Sequence, residues 1–303
     1  MSVADLVRVG GSRVVEHADL GRLTTYRVGG SARALITLRT MADVGELLPL
    51  IDETELDMLV IGKGSNLLIA DGEQPLVAVT LDDQLAQLTW RDVADDVEVV
   101  AGGGGTLPVV ARRLAADGVC GFEWAVGVPG SVGGAVAMNA GGHGSDMASS
   151  VVSAQVWTGD TWRTWSRTEL ELSYRHSAIG DHDLVLGATL RLARGEAAAA
   201  QRRIGEIVRW RRRNQPGGAN AGSVFRNPVG DSAGRLIEEA GCKGLRCRSA
   251  VVSDKHANFI IVEPGGAAGD VYELIEVVRT RVAQRLGVAL EPENRLIGFG
   301  ASW

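Results

Sequence analysis

The chain has 303 residues, 45% of them hydrophobic, with 31 Lys and Arg against 37 Asp and Glu and a formal net charge of -6. This length and apolar share support two or three folded domains and exclude a disordered polar chain. An acidic balance without a broad basic stripe argues against duplex nucleic acid, and no run reaches the roughly 18 apolar residues of a spanning helix.

Met41 to Leu56 has the spacing of an amphipathic helix. It leads into Met58-Leu59-Val60-Ile61, a buried strand ending at Gly62, so residues 1–80 are expected to form a first α+β domain. Val97 to Ala101 reads as a strand that ends in the turn Gly102 to Gly105, and Leu107 to Asp117 as a helix. Between 81 and 194, short strands at Val151 to Trp157, Thr161 to Ser166 and Leu184 to Leu192 recur with turn signals, which suggests a mostly antiparallel second unit. Glu196 to Arg213 is an Ala- and Arg-rich helix broken by Gln215-Pro216-Gly217-Gly218, the expected domain boundary. A short helix at Asp231 to Ala240 stopped by Gly241, a strand at Phe259 to Val262, and a helix from Asp270 to Leu286 stopped by Gly287 complete a third α+β unit. No repeat of 20 to 50 residues is present.

Only three cations are lysines (Lys63, Lys243, Lys255), so arginine carries the positive charge. Its planar fork suits carboxylate and phosphate, although a GC-rich genome gives the same bias. Cys120, Cys242 and Cys247 form neither a C-x-x-C pair nor a disulfide framework, and no basic stretch followed by an apolar run precedes Thr24. A soluble, cytoplasmic protein without membrane insertion or an evident obligate protein partner is expected.

The 40 glycines concentrate at Gly62 to Gly72, Gly102 to Gly105 and Gly127 to Gly144. Gly62-Lys63-Gly64-Ser65-Asn66 is not a Walker A loop, because Asp57 stands where its first glycine belongs, and Leu107 breaks a G-x-G-x-x-G reading of the second cluster. What remains is a general property: consecutive backbone amides in a turn free of Cβ atoms can close around a pyrophosphate. Gly127 to Gly141 is the longest such segment and almost all its side chains are small, which suits a dinucleotide or tight turns packed on a strand.

At this point the sequence resembles a family. Thr24-Thr25-Tyr26-Arg27-Val28-Gly29-Gly30, Gly62 to Ile69, Gly127 to Gly144, Tyr174-Arg175-His176-Ser177, Ala221 to Pro228 and Glu291 to Gly298, in that order and nearly end to end, are similar to the UDP-N-acetylenolpyruvoylglucosamine reductases. The resemblance implies a flavin fold of the vanillyl-alcohol-oxidase type in two subdomains, residues 1–80 and 81–213, the second rejoined by 290–303, plus an α+β substrate-binding domain at 214–289. It implies non-covalent FAD at Gly62, Lys63, Gly64, Ser65, Asn66, Leu67, Gly127, Val128, Pro129, Gly130, Ser131, Gly133, Gly134 and Asn139. With only one predicted helix between Leu192 and Ser223, the chain resembles the shorter subtype, which lacks a tyrosine-bearing loop over the substrate. His143 stands where many members have tyrosine, and its turn position reads as surface.

The reaction so implied is reduction of an enolpyruvyl ether, with NADPH reducing FAD and hydride passing from flavin N5 to C3. Charge then develops at C2 and its carboxylate, so the step needs cationic or hydrogen-bonding donors and an acid. The resemblance assigns these roles to Arg175, Ser223 and Glu293, with Ser223 as proton donor, and places nucleotide-sugar contacts at Tyr174, Arg211, Asn227 and His256. By sequence alone Arg175 reads as surface, Tyr174 as a possible strand end, Arg211 as part of a solvated helix end, and Glu293 as pairing with Arg295. His256 has no partner at metal spacing. Two rivals stay open: a flavin-dependent oxidase or dehydrogenase sharing the fold, and a nucleotide-sugar binding protein without turnover.

Overall fold

The computed structural model describes residues 1–159 and 161–300. By contact density the chain divides into two compact units: Met1–His17, Arg33–Lys63 and Pro75–Arg211 make the first, and Ala18–Ala32, Gly64–Gln74 and everything described from Arg212 onward make the second. Residues 1–80 and 81–213 fall mostly in one unit, and Arg295–Ile297 belongs with residues 212–289, running parallel to Leu67–Ile69.

The first unit holds two hydrophobic cores. One includes Leu6, Ile36, Leu38, Leu47, Ile51, Val77 and Val79. It belongs to the helices Val3–Gly10 and Met41–Asp52 and a four-stranded sheet ordered Val14–Asp19, Ser31–Leu38, Glu73–Leu81, Asp57–Val60. Both helices start on a capping box, Ser2 with Asp5 and Thr40 with Asp43, in which hydroxyl and carboxylate satisfy each other's orphan amides. The Val3 helix and the Val14, Ser31 and Glu73 strands were not anticipated. Burial alternates along Ser31–Leu38, whereas Glu73–Leu81 buries the consecutive residues Leu76 to Val79.

The second core of this unit lines a six-stranded sheet ordered Thr161–Ser166, Val151–Thr158, Leu184–Arg194, Asp96–Gly102, Leu88–Val93, with Val119–Cys120 also pairing with Leu184–Arg194. Its strands pair antiparallel, as the turn signals suggested. The central Leu184–Arg194 strand is flanked on both edges, and its first five residues are buried, which explains a continuous apolar run where a one-sided strand would alternate. The helix Ala197–Asn214 follows and buries Ala200, Ile204 and Ile207. Nothing else regular lies between Arg194 and Ser223.

In the second unit, the helix Ala268–Leu286 buries Val271, Leu274, Ile275, Val278 and Val282 and packs on the antiparallel strands Arg246–Cys247, Ala250–Val252 and Ile260–Val262. It ends at Gly287 in the left-handed conformation, φ 69°, as the sequence stop signal requires. Its N-terminal amides, at Ala268 and Gly269, donate to the carboxylate of Asp71 at 3.1 and 2.9 Å. A carboxylate there complements the positive end of the helix dipole. Among the described residues no helix is long and apolar enough to cross a membrane.

Candidate functional site

In the first unit the glycine segments that look separate in the sequence interlock. Leu107 N donates to Gly130 O (2.9 Å), Val132 N to Gly105 O (2.8 Å) and Gly133 N to Gly103 O (2.9 Å). Gly62 comes so close that an added Cβ would lie 2.3 Å from Ser131 Oγ. That hydroxyl is buried and accepts from the Gly134 amide at 3.2 Å, capping the short helix Val132–Ala137. The Gly127 to Gly141 segment therefore contains a helix turn whose Val132, Ala135 and Val136 enter the core, in addition to the turns expected of it. Val128 donates its amide to Ala125 O at 3.1 Å and packs against the same core. Lys63 lies 3.7 Å from Asp83.

Asn139, φ 39°, is fully committed to the chain: its Nδ2 donates to Ser173 O at 2.7 Å and its Oδ1 accepts from Ala148 N at 2.9 Å. It thereby anchors a hairpin tip, since Ser173 and His176 exchange two backbone bonds of 3.0 Å around Tyr174 and Arg175. Tyr174 does not end a strand; it is 55% exposed on this tip. Arg175 adopts φ 55°, a conformation costing a non-glycine residue about 1 kcal/mol. Its Nη2 donates to Gly141 O at 3.2 Å, and its guanidinium lies 5.1 Å from the Tyr174 ring centre.

His143 occupies the two-residue turn of the hairpin joining Gly141–Gly142 to Ser145–Asp146, with φ 55° followed by Gly144 at 89°. The ring is half-buried. It meets Trp210 edge-on at 5.1 Å and covers Gly127, where a Cβ would be 2.7 Å from His143 Cδ2. Burial, then the charges of Arg211 and Arg203, hold its pKa below the ordinary histidine value. Arg211 itself is half-buried, which departs from a solvated helix end, and burial lowers its pKa.

In the second unit, Gly64 has φ 60° and an added Cβ would lie 2.0 Å from Leu23 O, so the turn admits only glycine. The amides of Gly64, Ser65 and Asn66 donate to no described residue, and the same holds for those of Gly62 and Lys63 in the first unit. Consecutive backbone donors without internal acceptors, in a turn that two glycines open, suit an anionic phosphate, and these residues fit a dinucleotide cofactor. Leu67, buried, starts the strand parallel to Arg295–Ile297.

Ser223 and Glu293 are brought together here. The two segments run antiparallel: Glu293 N donates to Val224 O at 2.7 Å, Arg226 N to Glu291 O at 2.9 Å, and Phe225 bridges Pro292. On the other side of the Ser223 segment, buried Asn258 holds both polar groups of the Phe225 backbone. Its Oδ1 accepts from Phe225 N at 2.9 Å and its Nδ2 donates to Phe225 O at 2.8 Å. The Ser223 hydroxyl makes no hydrogen bond with a described residue. Asn227 Oδ1 accepts from Ala233 N at 3.0 Å, at the start of the helix Ala233–Glu239. His256 packs edge-on against Phe259, and its Nδ1 accepts from Asn258 N at 3.3 Å, which leaves the proton on Nε2. Burial lowers its pKa. Among the described residues no cluster could hold a metal ion.

Asn258, Asn294 and Tyr26 were missed as site residues. Tyr26 and Asn294 lie inside segments carrying the family resemblance, but a buried amide or phenol shows its partners only after folding.

The profile described as FAD binding domain matches residues 32–162, and that described as UDP-N-acetylenolpyruvoylglucosamine reductase, C-terminal domain, matches residues 214–297. A UDP-N-acetylenolpyruvoylglucosamine reductase of Synechococcus sp. is 42% identical over 94% of this chain and 93% of its own length. That of Chloroflexus aggregans is 38% identical over 92% and 95%. The crystal structure of UDP-N-acetylenolpyruvylglucosamine reductase from Thermus caldophilus superimposes with a TM-score of 0.79 at 34% identity, covering 94% of this chain and 98% of that one.

Proposed function

The chain belongs to the family of UDP-N-acetylenolpyruvoylglucosamine reductases, oxidoreductases of peptidoglycan synthesis, and from that premise we propose that it reduces UDP-N-acetylglucosamine enolpyruvate to UDP-N-acetylmuramate with Ser223 as proton donor. One observation carries the assignment of the acid: a hydroxyl without an internal partner on a segment bonded edge to edge with Glu293. FAD, replenished by NADPH, supplies the hydride when bound.

The open amides of residues 62–66 would hold its pyrophosphate, and the family resemblance assigns further FAD contacts to Leu67 and, separately in the first unit, to Gly127, Val128, Pro129, Gly130, Ser131, Gly133, Gly134 and Asn139. Arg175, fixed by its bond to Gly141 and always charged, offers a fork to the substrate carboxylate as negative charge spreads onto it. A serine hydroxyl is a weak acid, so its proton moves only if donors stabilise the developing charge and a neighbour supports the alkoxide. We assign that second task to Glu293, half-buried on the adjoining segment, whose carboxyl would act in its protonated form by donating to the serine oxygen. Tyr174, Arg211, Asn227 and His256 would contact the nucleotide-sugar part. The two histidine environments favour neutral rings at neutral pH, so His256 would act as a hydrogen-bond donor through Nε2.

The test separates the two half-reactions. Ser223→Ala should leave flavin bleaching by NADPH at the wild-type rate and slow reoxidation by the enolpyruvyl nucleotide about 100- to 10,000-fold. Equal rates of reoxidation in mutant and wild type would remove Ser223 from the reaction. Protein that carries no flavin and cannot be reconstituted with FAD would instead support a binding protein.

A further inference from the structure

We propose that Asn294, held by Asn66 and Tyr26, is a positioning residue that fixes the Ser223 backbone for proton delivery. The inference rests on the reading of Ser223 as the proton donor. Ser223 follows Gly222, which has φ 75° and no atom near the place a Cβ would take, so packing does not hold this peptide. Hydrogen bonds do. Asn294 Nδ2 reaches the carbonyls on both sides of the glycine, Ala221 O at 3.3 Å and Ser223 O at 3.4 Å, while Asn220 Oδ1 accepts from Gly222 N at 3.1 Å.

The amide of Asn294 is itself oriented by two groups from distant parts of the chain. One Nδ2 hydrogen goes to Asn66 Oδ1 at 2.9 Å, so the other is shared between the Ala221 and Ser223 carbonyls, and the Oδ1 accepts from the Tyr26 hydroxyl at 3.5 Å. Asn66 Nδ2 in turn donates to Glu293 O at 2.9 Å. Asn294 is 4% exposed and Tyr26 fully buried. Burying a neutral amide and a phenol this deeply is unfavourable unless every group finds its partner, and each does. An apolar pair would fill the same space without holding the Ala221 and Ser223 carbonyls. The polar pair therefore makes the direction of Ser223, and the backbone of Glu293, depend on the same turn whose amides are open for an anion.

The experiment is a double-mutant cycle on the flavin-loaded enzyme by stopped flow, with Asn294→Leu, Ser223→Ala and both together, and Tyr26→Phe as a milder variant. Asn294→Leu should leave reduction by NADPH within about 2-fold and slow reoxidation by the enolpyruvyl nucleotide about 10- to 100-fold, the scale of a small misplacement of a reacting group. In the Ser223→Ala background it should slow reoxidation no further. Tyr26→Phe, which removes one oxygen and keeps the ring, should show the same split at about 3- to 10-fold. Hydrogen exchange of the Gly222 amide, which donates to Asn220 Oδ1, should quicken in flavin-free Asn294→Leu. Wild-type reoxidation in Tyr26→Phe and Asn294→Leu, equal slowing of both half-reactions, or an undiminished effect of Asn294→Leu on Ser223→Ala would overturn the positioning role while the proton donor stands. Wild-type reoxidation in Ser223→Ala would instead remove the proton donor itself. Should Asn294→Leu fail to fold, the Tyr26→Phe rates decide.

Discussion

Gly62→Ala offers a direct test of how the glycine segments interlock. The new methyl would sit 2.3 Å from Ser131 Oγ and 3.4 Å from Ser131 Cβ. Gly62 does not need a left-handed backbone, so the cost arises from this contact alone. Ser131 is 3% exposed and its Oγ caps the Val132–Ala137 helix through Gly134 N, so it cannot turn away without losing that bond. Losing the cap costs about 1 kcal/mol and the overpacking about 1 to 3 kcal/mol, so Gly62→Ala should destabilise by about 2 to 4 kcal/mol. Ser131→Gly alone should cost only a few tenths of a kcal/mol, because glycine is tolerated at an N-cap. Combined, the two changes remove the collision, and the double variant should recover about 1.5 to 3 kcal/mol relative to Gly62→Ala. Urea unfolding of the flavin-free proteins measures all four corners without interference from cofactor binding. If the double variant is as unstable as the sum of the singles, within about 0.5 kcal/mol, the two segments do not touch as described.

Asn258→Ala should destabilise by about 2 to 5 kcal/mol, since it strips partners from both the N–H and the C=O of buried Phe225; urea unfolding reads this directly, and a loss under 1 kcal/mol would contradict the clamp. Burial raises the pKa of Asp43, but the amides of Arg39 and Thr40 and the Arg13 guanidinium overcome it and hold the carboxyl below its usual value. With the folded pKa depressed, this stabilisation is complete above the ordinary aspartate range and is lost as pH falls below about 4. Stability measured between pH 6 and 3 should therefore fall less steeply in Asp43→Asn than in wild type, and parallel curves would refute the argument.

Much of the local structure was legible because its causes are local. The Met41 helix begins at Thr40 and Asp43, the Ala268 helix stops at Gly287, and the break after Asn214 coincides with Gln215-Pro216-Gly217-Gly218. Each depends on groups within one turn of chain. The Ser31–Leu38 and Glu73–Leu81 strands are hard to read from sequence because alternation over eight residues is weak evidence and the continuous apolar run Leu76 to Val79 fits a buried helix segment as well as a strand.

The order of motifs along the chain was enough by itself to identify the family, whereas Arg175, Ser223 and Glu293 taken singly carry no signal and stand out only through the family resemblance. Folding alone decided how they are presented. Tyr174 became a hairpin tip because Asn139 and the Ser173–His176 pair bend the chain there, and Arg175 took a left-handed backbone within that bend. Ser223 reached Glu293 through an antiparallel bridge, and Asn294 found acceptors on Asn66, Ala221 and Ser223. A buried amide has the same short-range preferences whichever carbonyls it finally meets, so its partners were set by the packing of the second unit.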